Sequence, residues 1–300
     1  MKFTKMQGCG NDYVYIDCFK ENPENPSELA IKLSDRHFGI GGDGVIFIRH
    51  SDKADCMMDM YNLDGSRGKM CGNGIRCVGK YAYDHGIVNR TEIEVETLSG
   101  IKKLSLFPGK DGKIEKVRVD MGAAVFNAED IPLNACELNS LVGKDLTGKG
   151  RKAVETGGCI KEFPVEINNK VFDFTFVSMG NPHAVTFIDD TDGLDIIKYG
   201  PEAEKHSLFP EKANIEFIQI VDRSHIKMRV WERGSGETFA CGTGACASVV
   251  ACVENGFTDP QVEVTLLGGK LNITYERETG KVFMTGPAVE VFTGEIQEND

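Results

Sequence analysis

The stretch Met-Cys-Gly-Asn-Gly at 70–74 returns as Ala-Cys-Gly-Thr-Gly at 240–244, 170 positions later. The same shift carries Gly10-Asn11 onto Gly180-Asn181, Val45–Ile48 onto Ile215–Ile218, Tyr61-Asn62 onto Trp231-Glu232, and Gly86 onto Gly256. The run IEVETLSG at 93–100 meets VEVTLLGG at 262–269 with a slip of one residue, and KVRVDMG at 116–122 echoes KVFMTG at 281–286. Matches in order at one shift mean two copies of one module. Three hundred residues accommodate two domains of ordinary size. The first is expected over 1–122 and the second over 123–286. The last strand, PAVEVFTGEI, has no partner in this scheme, so 287–300 is expected to return to the first domain.

Within each copy, runs rich in β-branched residues alternate as strands do. A helix-like segment occupies Ser27–His37 in the first copy. Residues 147–175 match the repeat least well and are read as containing an insertion. After each Cys-Gly loop the spacing turns helical: Ile75, Val78, Tyr81, Ala82 in one copy, and Ala245, Val249, Val250, Val253 in the other. Neither helix carries much charge, so each must be buried on most of its sides. Gly86 and Gly256 stand where a glycine stops a helix. The pattern predicts an α/β (α+β) fold of two homologous, pseudo-symmetric domains. Each is a mixed, barrel-like sheet wrapped around a central helix, with the active site expected in the cleft between them.

An apolar content of 41% and a charged content of 27% suit a globular chain with a real core. The net charge of −12 argues against nucleic acid or an anionic membrane as partner, since both require a basic face. The opening MKFTKMQGCGND turns polar before an apolar run develops, unlike a secretory signal, and no apolar stretch is long enough to span a bilayer. A cytoplasmic location with reduced thiols is therefore expected for the ten cysteines. No C-x-x-C occurs and no histidine sits near a cysteine pair at zinc spacing, so no metal site is expected. The run GIGGDG at 39–44 fits G-x-G-x-x-G literally, but a helix precedes it and a strand follows, the reverse of the dinucleotide-binding order.

Cys71 and Cys241 each fall at the last position before a helix. The unpaired N–H groups and partial positive charge there lower a thiol's pKa and attract an anion. The following glycine lets a carboxylate approach the backbone closely. Two such thiols on opposite faces of one α-carbon can invert it, one thiolate removing the proton and the other thiol delivering one. The helix dipoles would stabilise the charge that grows on the carboxylate. The scheme requires no cofactor.

With these residues assembled, the chain resembles the diaminopimelate epimerase family. The matching motifs are MQGCGNDYV at 6–14, YNLDGSRGKMCGNGIRC at 61–77, MGNPHAV at 179–185, ANIEF at 213–217 and WERGSGETFACGTGACAS at 231–248. The resemblance implies interconversion of LL- and meso-diaminopimelate, in lysine and peptidoglycan precursor synthesis, with Cys71 and Cys241 as the acid–base pair. It implies that Gly72, Asn73, Gly242 and Thr243 bind the reacting carboxylate, largely through backbone N–H groups. It further implies that Asn11, Asn62, Asn181, Asn214, Glu232 and Arg233 hold the rest of the substrate, that His183 and Glu232 support the thiols, and that the protein is a homodimer. Some family members carry a glutamine where this chain has Gly44, so no binding role is carried onto it.

Other readings of the same residues stand beside these. Either cysteine alone could be a small buried residue at a tight helix start, as Cys77, Cys246 and Cys252 inside the helices are expected to be. Asn11 and Asn181 could be turn formers, His183 a buried hydrogen-bonded histidine, and Glu232-Arg233 a solvated pair. The functional alternatives are a racemase of another amino acid, such as histidine, on the same fold, a thiol-based redox or metal-binding protein, and a non-catalytic amino-acid sensor.

Overall fold

A computed structural model of the chain describes residues 1–144 and 158–297. The chain forms two compact units. The first comprises Met1–Asp120 and the segment from Thr285 onward; the second comprises Met121–Met284.

In the first unit the strands are β1 (Lys2–Gly8), β2 (Asn11–Asp17), β3 (Gly44–Arg49), β4 (Cys56–Asn62), β5 (Arg67–Gly68), β6 (Glu92–Thr97) and β7 (Gly100–Pro108). β8 (Ile114–Ala123) carries the chain out of the unit, and β18 (Val289–Glu295) belongs to it at the other end of the sequence. β18 and β2 flank β1, both antiparallel to it. β2 and β3 run parallel, β3 and β4 antiparallel, β4 and β6 parallel, and β6, β7 and β8 antiparallel in turn.

The second unit repeats this order. Its strands are β9 (Phe163–Ile167), β10 (Lys170–Ser178), β11 (Pro182–Phe187), β12 (Asn214–Asp222), β13 (His225–Glu232), β14 (Gly236–Glu237), β15 (Gln261–Leu266) and β16 (Gly269–Glu276), and β17 (Lys281–Pro287) leads out of it. β9 and β11 flank β10, antiparallel. β11 and β12 are parallel, β12 and β13 antiparallel, β13 and β15 parallel, and β15 and β16 antiparallel. The place that β9 fills beside β10 is filled in the first unit by β18 beside β1.

Each sheet curls around one helix. Gly72–Asp84 touches β1, β2, β4, β6 and β7, and Gly242–Glu254 touches β10 to β13, β15 and β16. Eleven consecutive residues, Gly72–Ala82, are buried in the first. Encirclement explains the near-absence of charge: a helix covered on every side has no face on which to solvate one. The charged residues buried along the first helix, Arg76 and Lys80, are both satisfied. Arg76 reaches Pro287 O, Gly72 O and Asn73 Oδ1, and Lys80 meets Asp84 and Ile114 O. Each unit also has its own outer core, around Val14, Ile16, Ala30, Val45 and Phe47 in the first, and around Phe163, Phe174, Phe176, Ile215 and Phe217 in the second.

Differences from the sequence reading have local causes. The first short helix runs Pro26–Ser34 and stops before His37, because the Asp35 carboxylate accepts the His37 and Phe38 N–H groups and turns the chain. Its counterpart in the second copy, Ile196–Glu204, forms although Gly200-Pro201 lies inside it. Gly200 is needed there: a Cβ would lie 2.6 Å from the Trp231 ring. Ala135–Lys144 is a further helix without counterpart in the first unit. Of the poorly matching stretch, 147–157 lies outside the described residues, while β9 and most of β10 occupy the remainder. No helix among the described residues is long and apolar enough to cross a membrane.

Ile75, fully buried in the encircled helix, tests this packing. Ile75→Ala is expected to cost about 2–5 kcal/mol, read as a lower calorimetric Tm.

Candidate active site: two capped cysteines

Cys71 and Cys241 are the N-cap residues of the two encircled helices. Both have extended backbones, and each sulfur accepts the N–H of the third helical residue, Gly74 or Gly244, at 3.4 Å. The thiol thus does what serine or aspartate does at an ordinary helix start. The N–H groups of Gly72 and Asn73, and of Gly242 and Thr243, belong to first turns, where no carbonyl of the helix itself can reach them.

Around half-buried Cys71 the partners come from β2 and the loop before β3. The Cys71 thiol donates to Asn11 Oδ1 at 3.3 Å. The Asn11 amide nitrogen donates to Asp43 Oδ2 at 2.7 Å, which fixes the amide's orientation. Asp43 is held in turn by Arg36, which also binds Asp12, itself paired with buried Lys5. The Tyr13 hydroxyl is in hydrogen-bonding reach of both Asn11 and Cys71. Burial raises its pKa well above the ordinary phenol value, so it remains a donor. Asn73 is buried, and its Oδ1 accepts from Arg76 at 3.0 Å.

Cys241 is buried, and its partners lie in the second unit. Its sulfur is 3.6 Å from Thr243 Oγ1, which accepts from Asn181 Nδ2 at 3.3 Å. Asn181 Oδ1 faces His183 Nε2 at 3.1 Å, and His183 Nδ1 faces Glu216 Oε1 at 2.6 Å. The expectation of a lowered thiol pKa fails here. Burial pushes the Cys241 thiol well up, and the nearby Glu232 and Glu216 carboxylates push the same way. The hydrogen bonds from Thr243 and Gly244 pull it down but do not outweigh these. A helix N-terminus favours a thiolate, yet desolvation and the negative charge nearby favour the thiol more.

The remaining predicted site residues divide by the unit that holds them. Asn62 ends β4 and donates to Ser66 Oγ at 3.0 Å. Asn214 is buried; its NH2 donates to Pro182 O and its carbonyl accepts Arg233 N, so it braces the turn that carries Arg233. Exposed Arg233 reaches Glu211 O. Glu232 accepts the Thr238 hydroxyl. Sequence reasoning passed over Tyr13, Asp43, Arg76 and Glu216. The duplication carried a signal for one of them: at a shift of 170, Glu216 falls on Ile46, a carboxyl in an otherwise apolar strand. Among the described residues no group of three or more histidine, cysteine or acidic side chains is placed to hold a metal.

Solved structures share this architecture along nearly the whole chain. A Bacillus anthracis phenazine biosynthesis protein of the PhzF family matches with a TM-score of 0.67 at 17% identity, covering 99% of both chains. A hydroxyproline epimerase from Agrobacterium vitis matches with a TM-score of 0.64 at 12% identity, covering 100% of this chain and 93% of that one. The fold is thus the duplicated, pseudo-symmetric one of PhzF and proline-racemase-like proteins. Sequence narrows this further. Residues 3–127 and 175–291 match the family described as diaminopimelate epimerase. A diaminopimelate epimerase of Agathobacter rectalis is 52% identical over 99% of each chain, one of Acetivibrio thermocellus is 50% identical over 100% of each, and one of Methanococcus maripaludis is 46% identical over 99% of each. The chain belongs to the diaminopimelate epimerase family.

Gly44 has no room for a side chain. A Cβ there would fall against Tyr61 O and 2.8 Å from Tyr13 Cε1. The Tyr13 ring takes the space. Gly44→Gln is therefore expected to lower stability by about 1–3 kcal/mol. Thermal denaturation would show it, and an unchanged Tm would mean that the pocket over Gly44 is roomier than described.

Proposed function

We propose that this protein interconverts LL- and meso-diaminopimelate by proton transfer at an α-carbon. The observation that carries the reading is the pair of N-cap thiols, each accepting an N–H at 3.4 Å, on equivalent helices of a chain in this family. In the proposed cycle one cysteine thiolate removes the α-proton and becomes a thiol. The electron pair left behind is delocalised into the carboxylate. The other thiol then gives its proton to the opposite face and becomes the thiolate. Protons balance, and the next turnover in the same direction requires the two sulfurs to re-exchange protons with solvent.

The first-turn N–H groups of Gly72, Asn73, Gly242 and Thr243 are assigned to the carboxylate beside the reacting carbon, where oriented donors act most strongly on growing charge. Asn11, Asn62, Asn181, Asn214, Glu232 and Arg233 are assigned to the remainder of the substrate. Its far end is an ammonium and a second carboxylate, which an acid, amides and a guanidinium complement. His183 and Glu232 are assigned to supporting the thiols. The raised pKa of Cys241 favours it as the group that holds a proton at neutral pH. The cycle draws on no cofactor. We also infer a cytoplasmic homodimer, from the family resemblance.

In deuterium oxide, LL-diaminopimelate is expected to gain deuterium at the inverted α-carbon. Cys71→Ser and Cys241→Ser should each lose about 10²–10⁴ in kcat with Tm unchanged. Label appearing in a single-centre amino acid such as histidine, with none in diaminopimelate, would replace the substrate.

The profile of kcat/KM against pH should be a bell. Burial and the negative charge nearby hold the proton on Cys241, so the basic limb should lie above about pH 8.5, the ordinary thiol value. A limb below that value would mean that another group limits the rate.

A further inference from the structure

Glu216 has no part in the cycle just described, yet it is fully buried on β12. One oxygen meets His183 Nδ1 at 2.6 Å, and the other, Oε2, has no hydrogen-bond partner. A buried carboxyl so poorly satisfied is costly. Packing does not demand it. β3 and β12 occupy equivalent places, and Ile46 Cδ1 and Glu216 Oε1 each lie 2.7 Å from where a Cβ would fall on Gly74 and Gly244. The same slot, against the same glycine of the same helix, takes isoleucine in one unit and a carboxyl in the other.

What the carboxyl adds is control of a proton. His183 Nε2 faces Asn181 Oδ1, an oxygen that only accepts, so Nε2 carries a hydrogen. Nδ1 of that imidazole is then an acceptor, and Glu216 secures it as a protonated carboxyl whose O–H donates to Nδ1, the state that its burial favours. Without that partner the proton of a neutral imidazole can move to Nδ1, leaving two lone pairs opposed between Nε2 and Oδ1. The Asn181 amide would then turn over and present its carbonyl to Thr243, 3.6 Å from the Cys241 sulfur.

We propose that Glu216 is a positioning residue for the Cys241 centre, keeping His183 Nε2–H on Asn181 so that the Asn181 amide holds Thr243 beside the thiol. The proposal rests on Cys241 being a reacting thiol, as assigned above. Its test uses Glu216→Ile, which copies the first unit, and Glu216→Gln, whose NH2 can still engage Nδ1, each alone and combined with His183→Asn. Glu216→Ile is expected to lower kcat about tenfold or more, with KM within about twofold. Glu216→Gln should stay within about threefold of the parent, and Glu216→Ile should have no further effect once His183 is Asn. Nitrogen-15 spectra of His183 give a readout apart from turnover: Nε2 protonated in the parent and in Glu216→Gln, a tautomer mixture in Glu216→Ile. If Glu216→Ile folds poorly, Glu216→Met repeats the test with a more pliable side chain. An unchanged His183 spectrum, or an equal loss of kcat in the His183→Asn background, overturns the proposal. If the parent fails to turn over diaminopimelate, the functional reading falls, while the histidine spectrum still decides the role of Glu216.

Discussion

A helix that must be buried all the way round, and that begins with a sulfur in place of a hydroxyl or carboxylate, governs both units. Encirclement strips the helix of exposed charge and obliges the sheet to curl until it closes on every face. The strand that crosses the first turn then leaves no room for a side chain at Gly74 or Gly244, which keeps the backbone close to the thiol. The N–H that ends on the sulfur is thus part of the same packing solution that builds the core. Burial places the sulfur, and the sulfur caps the element that is buried.

The two copies have kept this frame and changed what surrounds it. Beside Cys71 the support is partly solvated: Asn11 held by Asp43, with Arg36, Asp12 and Lys5 behind it. Beside Cys241 the support runs inward, from half-buried Thr243 and Asn181 to fully buried His183 and Glu216. Tyr13 and His183 stand at equivalent places, two residues after the Gly-Asn turn, and each braces the asparagine of that turn. Identical scaffolds therefore surround their thiols with different dielectric and charge.

Much of the frame was legible in the residues because duplication supplies an internal comparison. The repeated Cys-Gly-x-Gly loop, the uncharged helices and the glycines at Gly86 and Gly256 each have a direct physical reading, and those glycines do adopt positive φ. The helix at Ile196–Glu204 was hidden because its own propensity is poor; Trp231 and Glu204 hold it through tertiary contacts. The thiol shift at Cys241 was misread for a related reason. A helix dipole is visible in sequence, whereas the burial and the carboxylates that outweigh it come from strands far away in the chain. Asp43 and Arg76 escaped notice because their work is second-hand, fixing Asn11 and Asn73 rather than facing outward.

The pairing of β18 with β1 has a consequence for how the chain matures on the ribosome. One edge of β1 stays open until the residues of Val289–Glu295, which follow the whole of the second unit, have been made. The second unit is contiguous and holds its own flanking strand, β9, from early in its synthesis. The nascent N-terminal half must therefore wait with an exposed strand edge, the feature most prone to mispairing between chains, until the tail arrives to seal it.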